Sequence, residues 1–301
     1  MLQPKTLLVA AALILGAQAQ AQFESRVVAR GLKMPTGIAT KGFGAGTSLI
    51  FTEVPTPGVS GANGGMNGIF QLDLWNNKKF TLNMGEPEPL NLTVASNNSI
   101  YWTCRSAGVI LERNRMGAIS VLQSGLMKPT GISALHNGDI AFTQVPTPGV
   151  NGSNGGMNTV DIHTSTGIVN VTMGEPEPTD IVATRNGDLY WTCKSAGVIL
   201  KRSPNGMVQV LLRGLNKPTG IASNLRGTNL YFTEVPTPGL SSRFGGGNFV
   251  WEYSLLTGAR TIVSYGLAQP TDVAVSADNR IFITNTSEGQ ILEARRQSNG
   301  W

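Results

Sequence analysis

Apolar and polar positions along this 301-residue chain alternate in short bursts, and the bursts come in fours. The most regular are aromatic and β-branched: SLIFT, SIYWT, DIAFT, DLYWT, NLYFT and RIFIT. Each follows a short apolar run placed just after a proline, such as GIAT from Gly37 or DIVA from Asp180. A tight polar turn separates the two, as in HNGD at His136, RNGD at Arg185 and ADNR at Ala277. Third runs such as IFQLDL, VILERN, TVDIH, VILKRS and FVWEYS come next, then fourth runs such as AISVL, IVNVT, VQVLL and RTIVS. β-Branched and aromatic runs bounded by Gly, Asn and Pro are strand signals. No stretch holds the 3.6-residue period of an amphipathic helix.

These units repeat. GLKMPTG (Gly31 to Gly37) returns as GLMKPTG, GLNKPTG and, more loosely, GLAQPTD; MGEPEPLN returns as MGEPEPTD, and YWTCRSAGVIL as YWTCKSAGVIL. FTEVPTPGVSGANGGMN from Phe51 returns from Phe142 and from Phe232. Six second strands mean six four-stranded units, and radial repetition of such units is a β-propeller. The sixth unit, from Pro270, runs out after its third strand, ILEARR. SRVVARGL, from Ser25, is free to supply the fourth, closing the ring and removing an open edge. The expected fold is therefore all-β: a six-bladed propeller of four-stranded blades over residues 22–301, closed by its N-terminal strand joining the last blade.

Propeller geometry sorts the loops. The lead-in to each blade and the loop between its second and third strands lie on one face; the remaining turns lie on the other. The closely repeated segments thus share a face, while dissimilar turns (SNN, HNG, RNG, LRG, DNR) share the opposite one. Odd lead-ins carry Lys33, Lys128 and Lys217, with Gly37, Gly131 and Gly220 after Pro-Thr; even blades carry Asn91, Asp180 and Asp272 at that glycine position. Glu88 and Glu177 precede two of these, and second strands end at Glu53, Cys104, Gln144, Cys193, Glu234 and Asn285. Opposed charges and amides converging on an axis make a polar ligand site. The expected site is therefore Glu53, Glu88, Asn91, Gln144, Glu177, Asp180, Glu234, Asp272, Cys104 and Cys193. Asn67, Asn158 and Asn248 also suit capping of their own loops.

Composition narrows the partners. Residues 1–21 read as a secretory signal peptide, with Lys5, an apolar run from Leu7 to Ala17 and small residues at Ala19 and Ala21. This predicts a secreted protein, extracellular or periplasmic, without a membrane anchor after cleavage, and a monomer. Loss of Lys5 takes the formal charge from +5 to +4; the cations are scattered singly, which gives no nucleic-acid footprint. Cys104 and Cys193 hold equivalent places two blades apart, about 120° around the ring, too far for a disulfide's roughly 7 Å Cα limit, so two unpaired thiols are expected. His136 and His163, the only histidines, fall in or beside turns of the opposite face, which excludes a histidine metal cluster or a Ser-His-Asp triad.

The repeats PTGIA at Pro35 and Pro218, with second strands ending LIFTE and LYFTE, resemble the TolB-like six-bladed propellers: the NHL, SMP-30/gluconolactonase and streptogramin-lyase-like group. In SMP-30-like lactonases a divalent cation sits in the channel mouth, held by Glu, Asn and Asp, the last two usually immediately after a proline. Those positions here are Thr36, Leu90, Thr130, Thr179, Thr219 and Thr271; acidic side chains come one residue earlier or later. The resemblance therefore implies a shifted set, Glu88, Glu177, Asp180 and Asp272, around Ca2+. Three readings follow: a secreted propeller binding a small polar ligand or an extracellular partner at the repeat-bearing face; a metal-dependent lactonase or esterase-type hydrolase; and a structural extracellular module.

Overall fold

A computed structural model of the protein describes residues 23–58, 66–149, 157–240 and 247–297. The segment expected to be a leader, the last four residues and the central parts of the three long repeated loops lie outside the described residues. Twenty-four described strands form six antiparallel sheets of four. The innermost strands, one per blade, are Pro35–Lys41, Pro89–Val94, Pro129–Ala134, Pro178–Ala183, Pro218–Ser223 and Pro270–Val275. The second strands are Ser48–Glu53, Ile100–Cys104, Ile140–Gln144, Leu189–Cys193, Asn229–Glu234 and Ile281–Asn285. The all-β, six-bladed architecture expected from the repeats is the one observed.

The ring closes as expected. Phe23–Ala29 pairs antiparallel with Gln290–Arg296, placing Phe23 opposite Arg296 and Val27 opposite Leu292. A buried clasp that the strand pattern does not reveal reinforces this pairing. Glu293, 0% exposed, accepts from Arg26 Nη2 at 2.7 Å and Arg280 Nε at 2.6 Å, and also from Arg295. Burial alone would push this carboxyl up; the bonds from Arg280, Arg295 and Arg26 outweigh it and hold the group down at about 2.

The core is divided into six wedges, each between neighbouring blades. Ile50 and Ile69 of blade 1 pack on Leu92, Trp102 and Cys104 of blade 2, for example, and Val160 of blade 3 on Trp191 and Val198 of blade 4. Phe23 joins the wedge between blades 5 and 6. Burying aromatic and aliphatic side chains between radial sheets is what holds a propeller together.

A second, polar layer nearer the axis fixes the lead-ins. Every second strand carries a fully buried threonine: Thr52, Thr103, Thr143, Thr192, Thr233 and Thr284. In even blades its hydroxyl crosses to the next blade's lead-in: Thr103 to Thr130 O (2.7 Å), Thr192 to Thr219 O (2.6 Å) and Thr284 to Thr36 O (2.9 Å). Backbone bonds such as Val54 N to Met34 O (3.1 Å) and Arg105 N to Glu88 O (3.0 Å) tie lead-ins to second-strand ends, on one face.

Candidate functional site

Three even-blade side chains meet at the axis. Asn91 Nδ2 donates to Asp180 Oδ1 at 2.7 Å, and the Asp180 and Asp272 carboxyls lie close enough to influence each other's titration. They come this close because the odd blades present glycine at the same level. A Cβ on Gly131 would lie 2.5 Å from Asp180 Cα, one on Gly220 2.6 Å from Asp272 Cα, and one on Gly37 2.7 Å from Asn91 Cα. Alternation of a polar residue with Gly is therefore a packing solution that plugs the channel on its repeat-bearing side.

The plug also serves the backbone. The inner edge of each first strand turns one N–H toward the axis just after the plug residue. Ile38 N donates to Asp272 Oδ2 at 2.8 Å and Ile221 N to Asp180 Oδ2 at 2.7 Å, each reaching back one blade. Leu92 N (2.6 Å), Ile181 N (2.8 Å) and Val273 N (2.7 Å) donate to the carboxamide or carboxylate of the residue before them. Burial pushes both carboxyls up: Asp180 well above the usual range, with the Asp272 charge adding to the effect, and Asp272 to about 7, despite opposing backbone bonds. Both shifts favour the protonated form of each acid.

Beneath the plug lies a blind cavity of about 530 Å3. Its walls are the edges of the six innermost strands, and its floor is Asn91, Asp180 and Asp272. Its rim takes one residue from each blade: Gly42, Ser96, His136, Arg185, Leu225 and Ala277. These belong to the dissimilar turns, so the cavity opens on the face opposite the repeats. The sequence places Asn91, Asp180 and Asp272 correctly at the channel but orients the opening of this cavity the wrong way round.

The remaining expected site residues do not converge with them. Glu53 pairs with Lys79, and Gln144 accepts from Met127 N at 2.6 Å while donating to Asp161 at 2.8 Å. Glu234 takes Asn216 N at 2.6 Å and Trp251 Nε1 at 2.7 Å. A second strand is one removed from the axis, so Gln144 and Glu234 anchor their own blades' lead-ins, and Glu53 reaches the fourth strand, instead of facing the channel. Cys104 and Cys193 are free and buried, as expected. Each thiol faces a buried glutamate that sequence reasoning missed: Cys104 Sγ lies 3.2 Å from Glu86 Oε2, and Cys193 Sγ 3.5 Å from Glu175 Oε2. Trp102 and Trp191 donate to the same two carboxylates, so the first Glu of each EPEP motif is the signal. Asn67, Asn158 and Asn248 do cap their loops, each through a backbone N–H, of Thr56, Thr147 and Thr237.

The set read as Ca2+ ligands does not fit one. Glu88 holds Arg105 (3.7 Å) and Ser106, and Glu177 holds Lys194 (3.4 Å) and Ser195, apart from the axial pair. The oxygens of Asp180 and Asp272 already accept backbone N–H groups, whereas Ca2+ takes six to eight oxygens. Among the described residues no cluster of three or more His, Cys, Asp or Glu is suited to a metal.

No protein-family model matches the chain, and no curated protein does. Solved structures do. A streptogramin B lyase superposes with a TM-score of 0.61 at 18% identity, over 93% of this chain and 99% of that one. Virginiamycin B lyase from Staphylococcus aureus gives 0.58 at 17%, over 93% and 89%. A putative gluconolactonase gives 0.66 at 10%, over 91% and 92%. The chain has the fold of the lyase and gluconolactonase propellers. At these identities the likeness concerns the fold alone. In the Staphylococcus enzyme a histidine-to-alanine variant is catalytically inactive; in this propeller His136 stands at the cavity rim and His163 bonds Gln123 Oε1 at 3.2 Å.

Proposed function

We propose that this propeller is a secreted binding protein that takes a small polar ligand into its blind central channel. The observation that carries the reading is the cavity: about 530 Å3, polar at its floor, closed at one end and open at the other. That volume falls in the range of about 300–1,000 Å3 in which small-molecule sites lie. Floor groups are held by packing and backbone bonds, so the site is formed before a ligand arrives. The leader pattern at residues 1–21 supports action outside the cytoplasm. The hydrolase reading has no assembled metal set behind it, and the purely structural reading leaves the cavity without a use.

A thermal-shift screen of small polar solutes on the mature chain tests this. Saturation at a hundred times Kd stabilises a one-site protein by about 2.7 kcal/mol. For a chain of this size that is a rise of about 5–10 °C in Tm. A saturable rise of that order, reduced by Asp272→Ala, is the expected result. No shift from any class of solute would leave the propeller a structural module.

A further inference from the structure

We infer that the channel takes a small organic carboxylate, one oxygen of which accepts from the Ile132 N–H and the Asn91 amide at the floor. The inference rests on the reading of the channel as the binding site and names its ligand class. It begins from a break in threefold symmetry. Asp272 reaches forward to Ile38 N and Asp180 to Ile221 N. The third equivalent donor is Ile132 N, and the residue one blade back is Asn91.

An amide has only one acceptor oxygen, and Asn91 Oδ1 is taken by Leu92 N at 2.6 Å. Its Nδ2, which cannot accept, turns to Asp180 instead. Among the described residues no side chain accepts from Ile132 N, unlike Ile38 N and Ile221 N. Strand parity confirms its direction: Ala134 N, two residues on along the same edge, leaves the sheet for Thr93 Oγ1 of the neighbouring blade at 3.3 Å. Ile132 is buried, and buried backbone N–H groups without partners are rare. This one points into a cavity large enough to bring it an acceptor.

The surrounding chemistry selects an acid. The second Nδ2 hydrogen of Asn91 is a further donor at the floor. Burial pushes Asp180 and Asp272 toward their protonated forms, so the floor is not a pair of full negative charges. Gly37, Gly131 and Gly220 complete the ring and bring no other titratable group. At the rim, about 16 Å away at 3.3 Å per residue, the cavity is lined by Arg185 and His136. Among the described residues Arg185 belongs to none of the ion pairs. A cation at the rim and proton-bearing donors at the floor favour an anion, and binding tightens as pH falls below about 7.

The test is titration of sodium succinate into the mature chain at pH 6, beside glycerol and 1,4-diaminobutane, with the Ile132 amide followed by NMR. Saturable succinate binding that moves the Ile132 amide is expected. Asn91→Asp, which offers Ile132 a second carboxylate oxygen, should weaken binding about tenfold or more; Arg185→Gln, at the rim, should weaken it severalfold. Succinate binding that leaves the Ile132 amide unmoved, or that Asn91→Asp retains in full, would overturn the inference. Binding of glycerol or the diamine but not succinate would overturn the ligand class and leave the channel standing as a site. A failure of every solute, there and in the thermal screen, would sink both.

Discussion

Asn91 of blade 2 and Asp180 of blade 4 touch across the channel axis, Nδ2 to Oδ1 at 2.7 Å, passing over blade 3. Blade 3 permits this by presenting Gly131, whose absent Cβ would stand 2.5 Å from Asp180 Cα. Gly131→Ala therefore forces blade 3 away from the axis or breaks the plug. The expected cost is about 2–3 kcal/mol, measured by urea unfolding. Ala at Gly138, where a Cβ meets nothing within 4 Å but φ is +93°, provides a comparison set by backbone strain alone.

The Asp180–Asp272 pair makes stability depend on pH in an unusual direction. A carboxyl whose folded pKa lies above its unfolded value contributes stability at low pH and loses it as pH rises through the folded value. For Asp272 that window runs from about 4 to about 7. Asp272→Asn, which keeps a donor toward Asp180 but cannot ionise, is expected to be less stable than wild type at pH 5, because Ile38 N or Val273 N loses its acceptor. It should also show a shallower decline between pH 5 and 8, because only Asp180 is left to ionise in its buried place. Urea midpoints at those two values decide the matter; equal declines in both proteins would count against a contribution from Asp272.

Glu293 acts in the opposite sense, its stability contribution being lost as pH falls from about 4.5 toward 2. Removing its charge strands Arg280, whose side chain is 11% exposed. Glu293→Gln is expected to cost about 3 kcal/mol or more. Arg26→Ala, at a side chain 67% exposed, should cost less than about 1 kcal/mol. Equal effects in denaturant titrations would mean the clasp is a surface feature.

The six-bladed plan was legible because the second strands repeat their aromatic and β-branched pattern, with a threonine that turns out to rivet blade to blade. The ring closure was legible from an unfinished sixth unit. The clasp was not: Arg26 and Glu293 stand 267 residues apart, and a strand pattern does not say which side chains of paired strands meet. At the site, the alternation of Asn91, Asp180 and Asp272 with glycine could be read directly. Which side that ring closes could not, because the answer lies in contacts between backbones. Glu53, Gln144 and Glu234 were assigned to the axis on their polar groups and strand-end position, whereas Gln144 and Glu234 hold their own lead-ins and Glu53 holds Lys79.

The thiols offer a clean chemical check. Burial first, and then the neighbouring Glu86 or Glu175, pushes Cys104 and Cys193 well up from the ordinary thiol range. In the native protein neither is expected to react with a disulfide reagent such as DTNB over minutes at pH 8, and both should react after unfolding in guanidinium without prior reduction. No thiol in the unfolded chain would mean a disulfide between Cys104 and Cys193.

The most direct test of the channel as a binding site is an anomalous difference map from crystals soaked in bromoacetate. The account predicts a bromine peak inside the channel, between the Asn91–Asp180–Asp272 floor and the rim at His136 and Arg185. Peaks confined to the repeat-bearing face, with the channel empty of bromine, would contradict it.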